Sequence, residues 1–385
     1  TARISRDPET PSWSNPPLED HRGYRLFEVG DEACFNAGYR TWFGDVHVHT
    51  NFSRCGRPNN MELPDKAVHA RDQAELDFVL FADHAEHMDD GDYARYIRHI
   101  EEADQPGRFV VLPGYEWAGR GHPTCGHRNV MFRNGPGPIF RGDDPRYNTP
   151  GKLAEALRAA GQPVMAPRHH TTYVNNWNNY VPDMEPVVEI FSSWGNSESE
   201  SGPLQRSDDG KGLPWPGNYV QDGLTRDYRM GFLGGGDAHS IKPGSNGITA
   251  VIAPNLARAD LWDAIRARRC YATTGARILL DFCVNGYPMG SIIEASASEW
   301  PDVFPLKISC AAIGTATLAS IELIENNRVI FTQRRRRGPG SQMAFCVHQP
   351  RVTYYWRYYY VRLTQVDGEM AWSSPVWIVF AEDKA

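Results

Sequence analysis

The chain repeats one local pattern, and this repetition constrains its fold more than any other feature. An apolar segment of strand length ends in polar residues and is followed by an amphipathic, helix-like segment. This succession of strand, polar tip and helix recurs about six or seven times between residues 44 and 268. It is typical of a parallel βα barrel, whose chemistry lies on loops at the carboxyl ends of the strands. Helices are expected from residue 65 onward and at residues 92–103, 152–160 and 259–268.

The polar tips are rich in histidine. In Gly44–Thr50 apolar and polar residues alternate, so His47 and His49 share one face of the predicted strand. Two adjacent imidazoles suit a divalent metal that prefers nitrogen and oxygen ligands, although an isolated pair is also compatible with solvated histidines. Further tips favour the metal because they carry the same residue types: Asp83 and His84, Glu116, His127, His169 and His170, and Asp237 and His239. These side chains exceed the needs of one ion and fit about two or three ions with a shared ligand.

The pattern changes after Thr274 and Gly275. Short strands separated by turns follow, without helical periodicity. This arrangement is typical of an antiparallel β-sandwich of immunoglobulin-like type. We therefore predict an N-terminal arm at residues 1–40, a metal-binding barrel at residues 41–275 and a small β-sandwich domain at residues 276–385.

Composition limits the classes of function. The 385 residues carry a formal net charge of −7, which argues against a general nucleic-acid-binding protein. No run of about 18 apolar residues is present, so neither a transmembrane helix nor a membrane partner is expected. The seven cysteines do not resemble a disulfide framework, which favours a reducing compartment such as the cytoplasm. A leader removed before Thr1 would instead allow a periplasmic or secreted location.

The order and spacing of the tips resemble a known family. The series D-x-H-x-H-T, D-H, G-x-E, G-H, a later histidine after a strand, and G-D-A-H spans residues 44–239 and is similar to the PHP superfamily (polymerase and histidinol phosphatase). Residues 269–277, 361–362 and 371–375 resemble a branch of PHP-like proteins with an added C-terminal β domain and largely unassigned function. The resemblance implies a distorted parallel (β/α)7 barrel with a trinuclear metal cluster, followed by a small antiparallel β-sandwich.

The resemblance also implies ligands for each ion. One ion would be bound by His47, His49, Glu116 and Asp237, a second by Glu116, His127 and His169, and a third by His84 and His239. Relatives often have His or Asp where this chain has Cys55, so the third ion is bound through a thiolate that favours zinc, or its site is weak or empty. Adjacent strand residues point to opposite faces, so only one of His169 and His170 is expected to be a ligand, and we choose His169. Asp45 and Asp83 are expected to orient histidines rather than to bind metal.

The expected activity is that of a metal-dependent hydrolase with two or three divalent ions (Zn, Mn or Fe) as cofactors. A phosphoesterase that uses a metal-bound hydroxide on a small phosphate ester fits best. Two alternatives stay open: an amidohydrolase or carboxylic-ester hydrolase on the same cluster, and a non-catalytic binding protein. The expected catalytic residues are His239, His170 and Arg168, and the expected substrate-binding residues are Arg168, Arg54, Arg128, Tyr173 and Trp177. The oligomeric state is left open.

Overall fold

The computed structural model of the chain describes residues 24–25, 38–55, 60–121, 125–169, 175–203, 217–237, 239, 242–296, 305–335, 340–349 and 356–380. Within these ranges the protein is mostly β-structure, with 23 strands and five α-helices. No helix in the same ranges has both the length and the apolar character needed to cross a membrane.

The strands fall into two successive groups along the chain. The first group contains β1 Tyr24–Arg25, β2 Arg40–Val48, β3 Phe78–Phe81, β4 Val110–Leu112, β5 Gly114–Ala118, β6 His127–Phe132, β7 Val164–Met165, β8 Arg168–His169, β9 Val187–Ser192, β10 Gly195–Asn196, β11 Gly231–Gly234, β12 Ile248–Ala253 and β13 Cys270–Thr273. The second group contains β14 Leu279–Val284, β15 Tyr287–Pro288, β16 Ile292–Ala295, β17 Leu306–Ile313, β18 Leu318–Glu325, β19 Arg328–Arg334, β20 Gln342–Gln349, β21 Trp356–Gln365, β22 Met370–Ser373 and β23 Val376–Phe380.

The α-helices connect strands of the first group. They are α1 Leu63–Val68, α2 Asp90–Ala103, α3 Pro150–Ala159, α4 Val220–Leu224 and α5 Arg258–Arg266, with short helical turns at His69–Gln73, Ala85–His87 and Trp177–Asn179. Helix α2 begins at a reciprocal cap, in which the Asp89 side chain accepts from the Asp92 amide and the Asp92 side chain accepts from the Asp89 amide. Its buried face consists of Tyr93, Tyr96 and Ile100, at helical spacing.

The described strands form three sheets. A twelve-stranded sheet follows the order β16-β23-β21-β22-β13-β12-β2-β3-β4, with β1, β18 and β19 attached beside this path. A seven-stranded sheet follows β10-β9-β8-β6-β5, with β11 beside β9 and β7 beside β6. Strands β14, β15, β17 and β20 form the third sheet, in which every pair is antiparallel. The two larger sheets are mixed: β2, β3 and β4 are parallel, as are β8, β9 and β11, whereas β12 is antiparallel to β2.

The predicted distorted parallel (β/α)7 barrel is wrong. Such a barrel is one closed parallel sheet. Here the chain passes from β4 in the twelve-stranded sheet to β5 in the seven-stranded sheet with only Pro113 between them. Strands β5 and β6 pair antiparallel, and α5 joins the antiparallel strands β12 and β13. The strand–tip–helix rhythm therefore produces parallel pairing from β2 to β4 and mixed sheets elsewhere.

The C-terminal strands are also arranged differently from the small sandwich expected in that fold class. Strand β22 pairs with β13, so the twelve-stranded sheet continues from the histidine-rich part of the chain into residues 356–380. Strands β16 and β23 are parallel to each other, in contrast to the all-antiparallel expectation. The domain boundaries at residues 40 and 275 stay a prediction.

The two larger sheets share an apolar interior. One buried cluster contains Val46, Leu80, Met131, Val187 and Leu233, which come from β2, β3, β6, β9 and β11. The polar residues next to this interior come from different parts of the strands: His127 is the first residue of β6, Glu116 lies inside β5, and Asp237 follows β11.

Candidate metal centre

Strand β2 directs two imidazoles to one point. His47 lies on β2 and His49 directly follows it, and strand alternation places both side chains on the face opposite Val48. Both are buried, and their Nε2 atoms lie 3.2 Å apart. Nδ1 of His49 lies 2.9 Å from Oγ of Ser53, so this contact engages Nδ1 while Nε2 faces the centre. Two ring nitrogens this close and shielded from water suit a shared cation.

Glu116, on β5, lies in the middle of the cluster. Its Oε1 is 2.7 Å from Nδ1 of His127, and its Oε2 is 3.2 Å from Nδ1 of His84 and 3.4 Å from Nε2 of His49. Oε2 is buried and has no hydrogen-bond partner within the described ranges. A buried carboxylate oxygen of this kind costs free energy unless a cation or a donor compensates it. The surroundings of Glu116 therefore fit a bound cation.

Asp237 enters the cluster from a glycine-rich turn after β11. Its φ of 45° lies in the left-handed region. Oδ1 is 3.0 Å from Nε2 of His49, and Oδ2 is 3.5 Å from Nε2 of His169. A Cβ added to Gly235 would lie 2.8 Å from Cβ of His47, closer than real Cβ atoms approach. Glycine at this position thus lets the turn approach the imidazoles.

The nine side chains predicted as ligands all lie in four groups of donor atoms. Within each group the donor atoms lie within 4.8 Å of one another: His49, Cys55, His84 and His239; His47, His169 and Asp237; His47, His49 and Glu116; and His84, Glu116 and His127. The grouping differs from the expected one in several respects. His169 joins His47 and Asp237 instead of Glu116 and His127, His84 also joins Glu116 and His127, and His49 also joins the group of Cys55. Metal binding by these nine residues stays a prediction.

Burial and opposite charges together determine the pKa values in the cluster. Burial opposes the charged form of His47, but the carboxylates of Asp237, Glu116 and Glu189 raise its pKa well above the ordinary value. Burial would raise the pKa of Glu116, yet the imidazoles that face it lower its pKa well below the ordinary value. Burial lowers the pKa of His239 to about 4. Protons and a divalent cation therefore compete for the same nitrogen and oxygen atoms.

Sequence reasoning missed two side chains that support the cluster. Glu189, in the middle of the apolar strand β9, places Oε1 2.5 Å from Nδ1 of His169 and Oε2 3.1 Å from Nδ1 of His47. Trp194, just after β9, donates from Nε1 to Oδ2 of Asp237. A single carboxylate inside an otherwise apolar strand was the available signal for Glu189, since such a group is rarely buried without partners.

Asp45 and Asp83 contact backbone amides, which corrects the expectation that they orient imidazoles. Asp45 accepts hydrogen bonds from the amides of Gly236 and Gly244, at 2.8 and 2.9 Å. Asp83 accepts from the amide of Ser53 at 2.9 Å. These carboxylates hold the backbone of the loops that carry the donor side chains.

Three of the predicted substrate-binding residues lie away from the cluster. Arg168 and Arg128 are buried and share the Glu185 carboxylate, at 2.8 Å from Nε of Arg168 and 3.1 Å from Nε of Arg128. Trp177 is buried, with its ring 4.6 Å from the Arg168 guanidinium. Each arginine directly follows or precedes a histidine of the cluster on a strand, so it points to the opposite face. The predicted roles, substrate binding for all three residues and catalysis for Arg168, stay predictions that this placement does not favour.

One side of the cluster is open to solvent. The exposed fractions of the His84, His127 and His239 side chains are 13, 22 and 27%, whereas the other imidazoles of the cluster are buried. The exposed Arg54 lies beside this opening, and its amide donates to Nδ1 of His87 at 3.0 Å. The His87 ring lies 4.9 Å from that of His84. A ligand that enters from solvent would meet these five side chains first.

The remaining predicted site residues keep their status as predictions. His170 and Tyr173 lie outside the described residues. The substrate contact of Arg54 is compatible with its place at the opening. The catalytic role of His239 is less favoured by its contacts than its role as a ligand, because its Nε2 lies 2.9 Å from Sγ of Cys55.

Comparisons with known proteins place this chain beside relatives of undetermined function. A family model described as a protein of unknown function (DUF3604) matches residues 68–142 and 219–301. An uncharacterized protein of Chlamydia trachomatis is 31% identical over 343 residues, which cover 80% of this chain and 53% of that protein. An uncharacterized protein of Chlamydia pneumoniae is 28% identical over 361 residues, which cover 86% of this chain and 56% of that protein. The chain spans about half the length of these relatives.

A solved structure also resembles this chain. It is a two-domain protein from Bacteroides vulgatus that contains a predicted PHP-like metal-dependent phosphoesterase, with a TM-score of 0.41 and 13% identity. The match covers 88% of this chain and 96% of that one.

Proposed function

We propose that this chain is a metal-dependent hydrolase, and within that class a phosphoesterase that acts on a small phosphate ester. The observation that carries the proposal is the buried Oε2 atom of Glu116, directed between imidazoles of β2 and of the His84 loop. A buried anion among imidazole nitrogens, open to solvent on one side, is the environment in which a hydrolytic metal site operates.

The donor atoms fit divalent cations. His47, His169 and Asp237 would hold one ion, and the group that contains His49 and His84 would hold another. Glu116 faces both sets, since its Oε2 also lies 3.6 Å from Nε2 of His47. Divalent ions bound here would supply a Lewis acid that activates water and stabilises negative charge on a phosphorus centre.

The open side offers groups that bind an anionic ester. Arg54 is exposed at the opening, and its guanidinium suits phosphate oxygens. Because the Arg54 amide donates to Nδ1 of His87, neutral His87 carries its proton on Nε2 and can donate from there. Burial and the nearby Arg54 charge lower the pKa of His87 and favour this neutral form. These two residues take the place of the buried Arg168 and Arg128 in the proposal.

The test combines elemental analysis with hydrolysis of an aryl phosphate, an aryl phosphodiester and an aryl carboxylate ester. We expect about two or three equivalents of zinc, manganese or iron per chain and phosphate-ester turnover that chelation removes. Glu116→Gln should lower turnover at least about 100-fold with the fold kept, because it removes the buried anion. Glu155→Gln, on the exposed face of α3, is the matched control and should behave like the wild type.

Two results would contradict the proposal at different levels. Bound metal with turnover of the carboxylate ester alone would exclude the phosphoesterase and favour a carboxylic-ester hydrolase or amidohydrolase. Less than one equivalent of metal after reconstitution, with no turnover of any ester, would exclude the metal-dependent hydrolase altogether.

A further inference from the structure

We propose that Cys55 makes one part of the centre a sulfur-containing site that selects zinc-like ions, beside a second site of nitrogen and oxygen donors only. The sulfur-containing site consists of Cys55, His49, His84 and His239. This inference rests on the proposed function in one respect, namely that the cluster binds divalent metal. It goes further by assigning different metal preferences to two parts of the same centre.

The geometry brings the thiol into the cluster. Sγ of Cys55 lies 2.9 Å from Nε2 of His239, and the donor atoms of all four residues lie within 4.8 Å of one another. The rings of His49 and His239 stack with centroids 3.9 Å apart, and the His84 ring lies 5.1 Å from that of His49. Three imidazoles therefore surround one sulfur atom.

The loop that carries Cys55 is held in place by hydrogen bonds. Asn60 donates from Nδ2 to the carbonyl oxygens of Cys55 and Ser53, at 2.7 and 3.0 Å. Oγ of Ser53 accepts from the His84 amide at 3.0 Å and lies 2.9 Å from Nδ1 of His49. The loop thus couples the position of the cysteine to two of its partner histidines. An incidental surface thiol would not need these connections.

The backbone of His239 is fixed in a similar way. Nζ of Lys66, a residue of α1 with a buried side chain, donates to the His239 carbonyl oxygen at 2.5 Å. A side chain of α1 therefore contacts the backbone of the fourth member of the group.

The chemistry of the donors determines the preferred ion. A thiolate is a soft ligand that binds zinc, cobalt and cadmium well and magnesium and manganese poorly. Three imidazoles and one thiolate also supply the four ligands of a tetrahedral zinc site. The remaining three groups contain only nitrogen and oxygen donors. Sulfur therefore distinguishes one part of the cluster from the others.

The two parts consist of different residues. The sulfur-containing group shares no residue with the group of His47, His169 and Asp237, whereas it shares His49 or His84 with the other two groups. Occupancy by a zinc-like ion at Cys55 is therefore compatible with a second ion at His47, His169 and Asp237. That second site, without sulfur, accepts manganese or iron as readily as zinc.

The primary test is cobalt(II) titration of the full chain after metal removal. We expect an intense sulfur-to-cobalt charge-transfer band in the near ultraviolet for the wild type and none for Cys55→Ser. Cys346→Ser is the control, since Cys346 is a half-buried cysteine on β20 outside the four donor groups, and it should keep the band. Zinc should abolish the band by displacing cobalt, whereas an equal concentration of manganese should leave it.

A second measurement does not depend on cobalt. Alkylation of Cys55 by iodoacetamide, mapped by peptide mass spectrometry, should be slowed at least about tenfold by zinc and little by manganese. Cys55→Asp preserves a ligand but removes sulfur, so its preference for zinc over manganese should fall at least about tenfold. Circular dichroism of each variant verifies that the fold is kept.

The outcomes separate this inference from the proposed function. Cobalt binding with ester turnover, but with no sulfur band and no zinc protection of Cys55, would overturn the sulfur site and leave the hydrolase intact. A sulfur band that persists in Cys55→Ser would also overturn it. A sulfur band without turnover of any ester would support the site and count against the hydrolase. Failure to bind any of these ions would overturn both.

Discussion

Glu189 offers the sharpest test of how the centre is supported. Its two carboxylate oxygens contact Nδ1 of His169 at 2.5 Å and Nδ1 of His47 at 3.1 Å, and its side chain is buried. In Glu189→Gln only one of these oxygens remains, because the other becomes an amide NH₂ group. One imidazole therefore loses the acceptor that fixes its orientation and its tautomer.

The expected loss of metal affinity follows from the number of contacts that each substitution removes. Loss of one such partner lowers metal affinity by about 10–100-fold, or about 1.4–2.7 kcal/mol. Glu189→Ala removes both contacts and should lower the affinity further. The effect should be confined to the site formed by His47, His169 and Asp237, because Glu189 contacts no donor of the Cys55 group in the part of the chain that the structure describes.

The assay is competition for manganese or zinc between the protein and a chromophoric chelator, performed on the wild type, Glu189→Gln and Glu155→Gln. The cobalt band at Cys55 serves as an internal control and should stay unchanged. Wild-type affinity in Glu189→Gln would refute the supporting role of this carboxylate. An equal loss of affinity at both sites would refute the independence of the two groups.

Three further predictions test the fold and the cluster. Burial raises the pKa of Asp77 to about 7 in the folded protein. Between about pH 4 and pH 7 the folded state therefore keeps a proton that the unfolded state releases, so the free energy of unfolding should fall as the pH rises through this range. Asp77→Asn keeps an acceptor for the Phe43 amide and should remove this pH dependence, with a gain of at most about 4 kcal/mol at pH 8 in urea unfolding; an unchanged profile would contradict this. Trp194→Phe removes the donor to Asp237 and should weaken metal binding by about tenfold with an unchanged melting temperature. A fall in both metal affinity and melting temperature would indicate a packing role instead. Gly235→Ala should lower metal content and stability together, because its Cβ would lie 2.8 Å or less from two buried side chains of the centre; normal content would contradict this.

The positions of the donor residues could be predicted from the sequence because they depend on local features. His47 and His49 follow from strand alternation, and Glu116 and Asp237 lie where an apolar segment meets a polar tip. Helix α2 was likewise predicted at residues 92–103 and is observed at Asp90–Ala103, since its apolar spacing and acidic cap are local. Metal occupancy itself stays a prediction.

The overall architecture could not be predicted in the same way. A strand segment does not encode which strand becomes its neighbour or in which direction, so a rhythm that suited an all-parallel barrel produced mixed sheets. At Pro113 an apolar segment that resembles one continuous strand passes from the twelve-stranded sheet to the seven-stranded sheet, and no local pattern marks this change of sheet.

The placement of the buried arginines away from the cluster follows from a pattern that the sequence contains. If His127 and His169 face the cluster, the strand neighbours Arg128 and Arg168 must face away from it. Glu189 lies in the middle of an otherwise apolar strand, where no polar tip marks it as part of the centre.

The pairing of β13 with β22 has a consequence for how this chain can be shortened or recombined. All four residues of β13 are buried, and residues 271–273 pair with β22 on one side while β12 pairs on the other. A fragment that stops at residue 275 would expose one full edge of an apolar strand, which is a template for aggregation. Deletion, domain exchange or proteolysis near that residue would thus yield an insoluble product rather than a smaller folded domain, and the two halves of the chain should be inherited as a unit.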